Sequence, residues 1–433
     1  MTTQPLCRPA RLSRADHKTL GLAALGGALE IYDFIIFVFF AVTLAKLFFP
    51  PDMPEWLRQL QSFGIYLTGY VARPLGGLVM AHYADRLGRK RVFSLSILMM
   101  ALPCLVIGAM PVYVDIGYLA PLGLLLLRVL QGVAVGGEVP SAWVFVAEHM
   151  PAARRGYALG FLQAGLTFGY LLGALVATAV ARALTPEQLL EFGWRIPFVL
   201  GGVFGVLGVW LRRWLSETPV FLAMNERGGQ ERSPLAQVRA HYRGALLPAV
   251  VFTCVLTTAV VLLVVLTPSL MQQRFGLTAA DAFTLSCLGI VFLNLGCVLA
   301  GLLVDRIGPW STLRLYCLLL PLGSLVLYGS LMLAPGWVGV AYAVAGLCSG
   351  VVGVVPAVMV GLFPAQVRVS GISLGYNLAY ALWASLTTLG LLALVPWSPW
   401  VIVGYSAVVG LVGLWGCKLW RGKPWESSSS SVR

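Results

Sequence analysis

Blocks of 20 or more mostly apolar residues recur along this chain and constrain its fold more than any other feature. A helix rises 1.5 Å per residue, so each block matches a hydrocarbon layer of about 30 Å. Runs such as Ser94–Pro111 and Leu119–Val144 carry no polar stripe at helical spacing, so their whole circumference faces lipid or other helices. Charged residues are only 11% of the 433, against about 25% in soluble domains, too few to cover a water-facing surface. The expectation is an all-α polytopic membrane protein. Its twelve spans fall near 19–46, 61–83, 92–111, 117–140, 156–181, 194–214, 244–270, 281–303, 312–334, 337–361, 371–393 and 398–418.

The basic residues give the orientation. Both termini and the segments 84–91, 149–156, 212–243, 304–314 and 362–369 hold 23 of the 30 Lys and Arg. The opposite loops hold five, Lys46, Arg58, Arg182, Arg195 and Arg274. The positive-inside rule places the first set, with both termini, in the cytoplasm. The chain then divides into a cytoplasmic segment (1–18), a six-helix bundle (19–214), a linker (215–243), a second six-helix bundle (244–420) and a disordered serine-rich tail (421–433). A net charge of +13 scattered in short patches is not a nucleic-acid footprint. Eight cysteines without ligand spacing imply neither metal nor cofactor. The first twenty residues lack the short apolar core of a cleavable signal peptide.

The halves repeat. Asp85-Arg86-Leu87-Gly88 follows the second span and Asp305-Arg306-Ile307-Gly308 the eighth; Pro151 through Arg155 follows the fourth and Pro364 through Arg368 the tenth. An acid in such a short loop can cap a neighbouring helix N-terminus and pair with arginine, forming a latch that breaks and re-forms. Asp85, Arg86, Gly88, Arg89, Asp305, Arg306 and Gly308 are therefore the candidate gating residues.

Together with Arg128-Val129-Leu130-Gln131-Gly132, the run from Asp85 to Arg91 resembles signature motifs of the major facilitator superfamily. Further pieces resemble its metabolite:proton symporter branch, which includes citrate, 2-oxoglutarate, shikimate and proline/betaine carriers. These are Glu30-Ile31-Tyr32-Asp33-Phe34, Arg73-Pro74-Leu75-Gly76-Gly77, Gly136-Gly137-Glu138, Gly193 through Phe198, Glu217 through Phe221, and Phe363 through Arg368 with Tyr376-Asn377. The resemblance implies two six-helix bundles around a central cavity, alternating access and the bacterial inner membrane.

Five ionisable residues sit at membrane depth: Glu30, Asp33, Arg73, Arg128 and Glu138. Each costs about 2.5–3.5 kcal/mol near the bilayer centre, so idle retention is disfavoured. Three acids against two bases leave one acid in excess, as proton exchange requires. The resemblance further implies that Asp33 faces Arg128 and that protonating Asp33 frees Arg128 for substrate; a static ion pair is the competing reading. Glu30 and Glu138 are further candidates for proton coupling. Substrate candidates are Arg73, Arg128, Tyr66, Tyr70, Gln163, Thr258, Asn294, Tyr376, Asn377 and Trp383. The glycines at 132, 136, 137, 165 and 169 lie inside apolar spans and serve close helix approach, not phosphate binding.

The functional expectation is proton-coupled symport of a small organic solute by a functional monomer in the lipid bilayer. Two arginines favour a di- or tricarboxylate such as citrate or its chelate. A zwitterion of the proline or betaine kind is the alternative, as is a metabolite exporter or facilitator. No ATP-binding motif is present, and the four histidines lie in or beside the cytoplasmic segments, so an intramembrane enzyme is disfavoured.

Overall fold

The computed structural model describes residues 12–87, 89–212, 238, 240–364 and 367–420 of the chain. Among these residues every regular element is helical. Helix α1 (Arg14–Phe39) starts on a reciprocal cap: the Ser13 hydroxyl accepts from the Asp16 N–H at 3.1 Å, and the Asp16 carboxylate accepts from the Ser13 N–H at 2.7 Å. It continues as α2 (Ala41–Phe48) to complete the first span.

The second and third spans are α3 (Glu55–Leu87) and α4 (Arg89–Ala109). After the short α5 (Tyr113–Ile116) come α6 (Leu119–Val135), α7 (Glu138–His149), α8 (Arg155–Ala183), α9 (Pro186–Gln188) and α10 (Arg195–Arg212). The second half holds α11 (Arg243–Val260), α12 (Thr267–Gln273), α13 (Ala279–Ile307), α14 (Pro309–Leu333), α15 (Val338–Cys348), α16 (Val351–Leu362), α17 (Arg368–Leu394) and α18 (Trp400–Trp420). Among the described residues nine spans are long and apolar enough to cross a membrane, and the bent pair Pro186–Gly193 with Arg195–Trp210 makes a tenth. The expected 215–243 linker and the tail fall almost wholly outside the described residues.

The fourth span departs from expectation. It does not stop at 140 but breaks at Gly136-Gly137 and runs on to His149. Pro140 has no N–H to bond the carbonyl four residues back, so the Gly136 carbonyl is released there. The tenth span breaks at the matching place, Ser349-Gly350, with Pro356 beyond it.

Helix pairing in the first half recurs in the second. Helix α1 packs on α8, α3 on α6 and α4 on α10; likewise α11 packs on α17, α13 on α15 and α14 on α18. The two largest crossings between the halves are α8 with α13 and α3 with α17, and each is the counterpart of the other under the six-span period. The glycines work as expected. A side chain at Gly132 or Gly136 would strike the backbone of Gly69 or Arg73, and one at Gly165 or Gly169 would strike α1 at Ala24 or Ala28. At the α8–α13 crossing, Gly156 and Gly160 meet Gly301 backbone to backbone.

Candidate functional site

The close α3–α17 crossing determines where the polar residues meet. Tyr66 and Tyr70 stand one turn apart on α3, and Tyr376 and Tyr380 one turn apart on α17, so each pair shares a helix face. Tyr70 meets Tyr380 across the crossing with ring centroids 5.1 Å apart. One turn further along α3, Arg73 lies 3% exposed with its guanidinium carbon over Tyr380 (4.8 Å), Tyr70 (5.4 Å), Phe34 (5.6 Å) and Tyr376 (5.8 Å). Four aromatic faces thus solvate one buried cation.

A cavity of about 20 Å³ lies beside this cluster, with Tyr170 and Gln163 of α8 completing its polar lining; the rest is aliphatic. It has room for about one water. Among the described residues that line it, Arg73 is the only one with a formal charge. Gln163 is held by the Trp143 indole N–H at 3.0 Å, and Trp143 in turn packs edge-on against Tyr376 at 4.9 Å.

Arg128, fully buried on α6, is held in the same manner. Its guanidinium lies over Phe34 (4.3 Å), Phe37 (4.8 Å) and Tyr66 (4.9 Å). Nη1 donates to the Phe34 carbonyl at 3.2 Å and to Gln131 Oε1 at 2.8 Å, while Nε and Nη2 have no acceptor among the described residues. Phe34 is therefore a shared platform for both arginines.

Asp33 does not face Arg128, which corrects the expected ion pair. Its carboxylate is 1% exposed and points at α10, where a Cβ added to Gly201 would stand 2.6 Å from Oδ1 and one added to Gly205 3.7 Å from Oδ2. Oδ1 has no hydrogen-bond partner among the described residues. A hydrogen-bond chain links Arg128 to the backbone of Asp33: Arg128 donates to Gln131, Gln131 Nε2 to Cys104 Sγ at 3.2 Å, and Cys104 to the Asp33 main-chain carbonyl at 3.5 Å. Glu30 and Glu138 are buried, but neither lines the cavity.

Four further substrate candidates lie elsewhere. Asn377 gives its amide N–H to the Gly136 carbonyl that Pro140 leaves free, and to Ser373 Oγ at 3.0 Å, so it ties the halves together. Thr258 accepts from the Trp383 indole at 3.0 Å within the second half, away from the cavity. Asn294 accepts from Thr167 Oγ1 at 2.6 Å at the α8–α13 crossing. Phe34, Tyr170 and Tyr380 were not among the sequence candidates. The signals were present: Tyr380 is one turn from Tyr376, Tyr170 two turns from Gln163, and Phe34 adjoins Asp33.

At the end of the bundle rich in basic residues, Asp305 of the second half caps α8 of the first. Oδ1 accepts from the Gly156 N–H at 2.7 Å and Oδ2 from the Tyr157 N–H at 3.0 Å, an anion on a helix N-terminus. Glu148 and Arg368 pair across the halves beside it at 3.3 Å. Gly308 turns the chain at φ +83°, which favours glycine. Arg306 is exposed and takes no part in this latch, a correction to its expected role. In the first copy Gly88 lies outside the described residues; Asp85 and Arg86 end α3 and Arg89 begins α4, and their side chains lie outside the description too.

Asp305→Asn removes the charge from two charge-assisted bonds worth about 1.5–3 kcal/mol each. The open population at this end is expected to rise roughly tenfold or more. The labelling rate of a cysteine introduced at Leu302, in a background free of other cysteines, reads this directly; an unchanged rate would reduce Asp305 to a static cap.

Residues 34–388 match the family model described as Major Facilitator Superfamily. The Proline/betaine transporter of Escherichia coli (strain K12) is 29% identical over 416 residues, covering 92% of this chain and 82% of that protein. The Inner membrane metabolite transport protein YhjE of the same strain is 29% identical over 411 residues, covering 92% and 90%. A Putative proline/betaine transporter of Staphylococcus aureus (strain COL) is 39% identical over a shorter 204 residues, 47% of this chain and 44% of that one. Among solved structures, the proton:xylose symporter XylE bound to 6-bromo-6-deoxy-D-glucose superposes with a TM-score of 0.77 over 93% of this chain and 94% of that one, at 18% identity. At that identity the likeness is one of fold.

Proposed function

This chain belongs to the major facilitator superfamily, a multi-pass transporter of the inner membrane, and on that premise we propose that it is a proton-coupled carrier of a compact zwitterion of the betaine or proline kind. One observation carries the reading: the cavity is lined by a single formal charge, Arg73, set among aromatic rings. A zwitterion matches both features. Its carboxylate meets one guanidinium, and its ammonium meets the tyrosine faces that favour such cations. A di- or tricarboxylate would bring two or three negative charges to one positive group, with rings repelling the remainder. The sequence-based preference for citrate therefore yields to its alternative, and relatives named as proline/betaine transporters support the change.

The two bundles, 19–214 and 244–420, rock about the cavity, with the Asp305 and Glu148–Arg368 contacts closing the cytoplasmic end. Asp33 carries the proton. Its carboxylate does not line the cavity but points at α10, so the proton and the solute occupy separate sites. The cavity is closed by one copy of the chain, which supports a functional monomer.

In proteoliposomes with an inward proton gradient, labelled glycine betaine or proline is expected to accumulate, and an uncoupler to collapse the accumulation. Unlabelled betaine is expected to compete, and citrate is not. Competition by citrate but not by betaine would restore the carboxylate reading and remove this one.

A further inference from the structure

Arg73 is buried among four aromatic rings, its Nε has no acceptor, and no carboxylate lies within ion-pairing distance of it among the described residues. The space left beside it holds about one water. A zwitterion cannot enter that space unless something leaves the ring cluster, and the long, unbranched Arg73 side chain is the group that fills it.

We propose that the Arg73 guanidinium is a resident stand-in for the cationic head of the substrate. The ammonium group of the ligand displaces the guanidinium from the faces of Tyr70, Tyr376 and Tyr380, and the displaced guanidinium takes the ligand's carboxylate. This deepens the zwitterion reading and rests on it. The chemistry makes Arg73 a specificity determinant. A zwitterion gives the displaced arginine a new partner. A plain quaternary cation such as choline gives it none and leaves two cations adjacent in a low-dielectric site. The tyrosines alone would accept both ligands; the arginine excludes the second.

The test measures binding of glycine betaine and of choline to the full-length purified chain by ligand-induced thermal shift and calorimetry. Wild type is expected to bind betaine about a hundredfold more tightly than choline, with the methyl ester of betaine siding with choline. In Arg73→Ala, betaine is expected to weaken at least tenfold while choline tightens at least tenfold, so that the preference collapses. Arg73→Gln, which keeps most of the side-chain volume, is the second variant should the first fail to fold; it too is expected to lose the preference, and Arg73→Lys to keep part of it. Wild type that binds neither ligand would remove the zwitterion reading itself. Wild type that binds betaine, with choline no tighter in either neutral variant, would overturn the displacement alone. Equal affinity of wild type for betaine and its ester would overturn it without recourse to any variant.

Discussion

Asp33→Asn is expected to abolish proton-driven accumulation, lowering the steady-state gradient of substrate by roughly a hundredfold, while leaving substrate exchange intact. Asp33 is 1% exposed, and among the described residues Oδ1 has no hydrogen-bond partner and no cation pairs with the carboxylate. Holding a charge in such a place costs several kcal/mol, and a bound proton removes that cost. A group of this kind can drive a cycle: in one conformation it takes a proton, and in another, where water or Arg128 reaches it, it releases one. Asparagine has the size and neutrality of the protonated acid, so it should fit the niche beside Gly201 and Gly205 without strain. The carrier would then be locked in its proton-loaded form, competent for exchange but unable to use the gradient. Two assays on one preparation decide it, uptake with and without uncoupler and counterflow with no gradient. Uncoupler-sensitive accumulation in the variant would show that Asp33 is structural, and loss of counterflow as well would mean that packing, not coupling, was damaged.

The way Asp33 and Arg128 are connected was not legible in the sequence. Most of the spans, the buried charges and the second-half loop motif could be read from charge and hydropathy, because the bilayer penalises any misplaced charge. Which way a residue faces on an all-apolar helix could not. Neighbouring residues on a helix point about 100° apart, and it is Phe34, not Asp33, that turns toward both arginines. Asp33 is thereby rotated toward α10, and the link to Arg128 passes through Gln131 and Cys104. Neither of those two residues stands out by charge.

Asn377 illustrates the same limit. As an amide at depth it looks like a ligand for substrate, but its partner is the Gly136 carbonyl left free by Pro140, 237 to 241 positions away in the chain. A backbone group released by a distant proline leaves no mark beside the asparagine that satisfies it. The latch was more legible, because its logic is local: an acid in a tight loop must find a donor. Asp305 finds one on the N-terminus of α8, whereas Arg306, the expected partner, lies exposed.

Tyr380→Leu is expected to weaken betaine binding about thirtyfold, because Tyr380 is the ring closest to the cation position. Its centroid is 4.8 Å from the Arg73 guanidinium carbon, nearer than any other cage ring, and the residue is 2% exposed. A desolvated cation–π contact is worth about 2 kcal/mol, and that difference is about thirtyfold in affinity. Leucine keeps an apolar wall of similar reach but has no quadrupole, so the loss reports the aromatic face and not the volume. Tyr380→Phe retains the face and should stay within about threefold of wild type. Some destabilisation is expected from Tyr380→Leu as well, since Tyr70 and Tyr376 pack against that ring, tilted, at 5.1 and 5.3 Å; thermal unfolding without ligand separates that effect from binding. Proline sharpens the comparison. Its ammonium keeps two N–H groups that can bond Gln163 or a tyrosine hydroxyl, so it depends less on the rings and should lose less affinity than betaine. Equal losses for the two ligands would place the cation elsewhere, and a Phe variant as weak as the Leu variant would make the hydroxyl, not the ring, the recognising group.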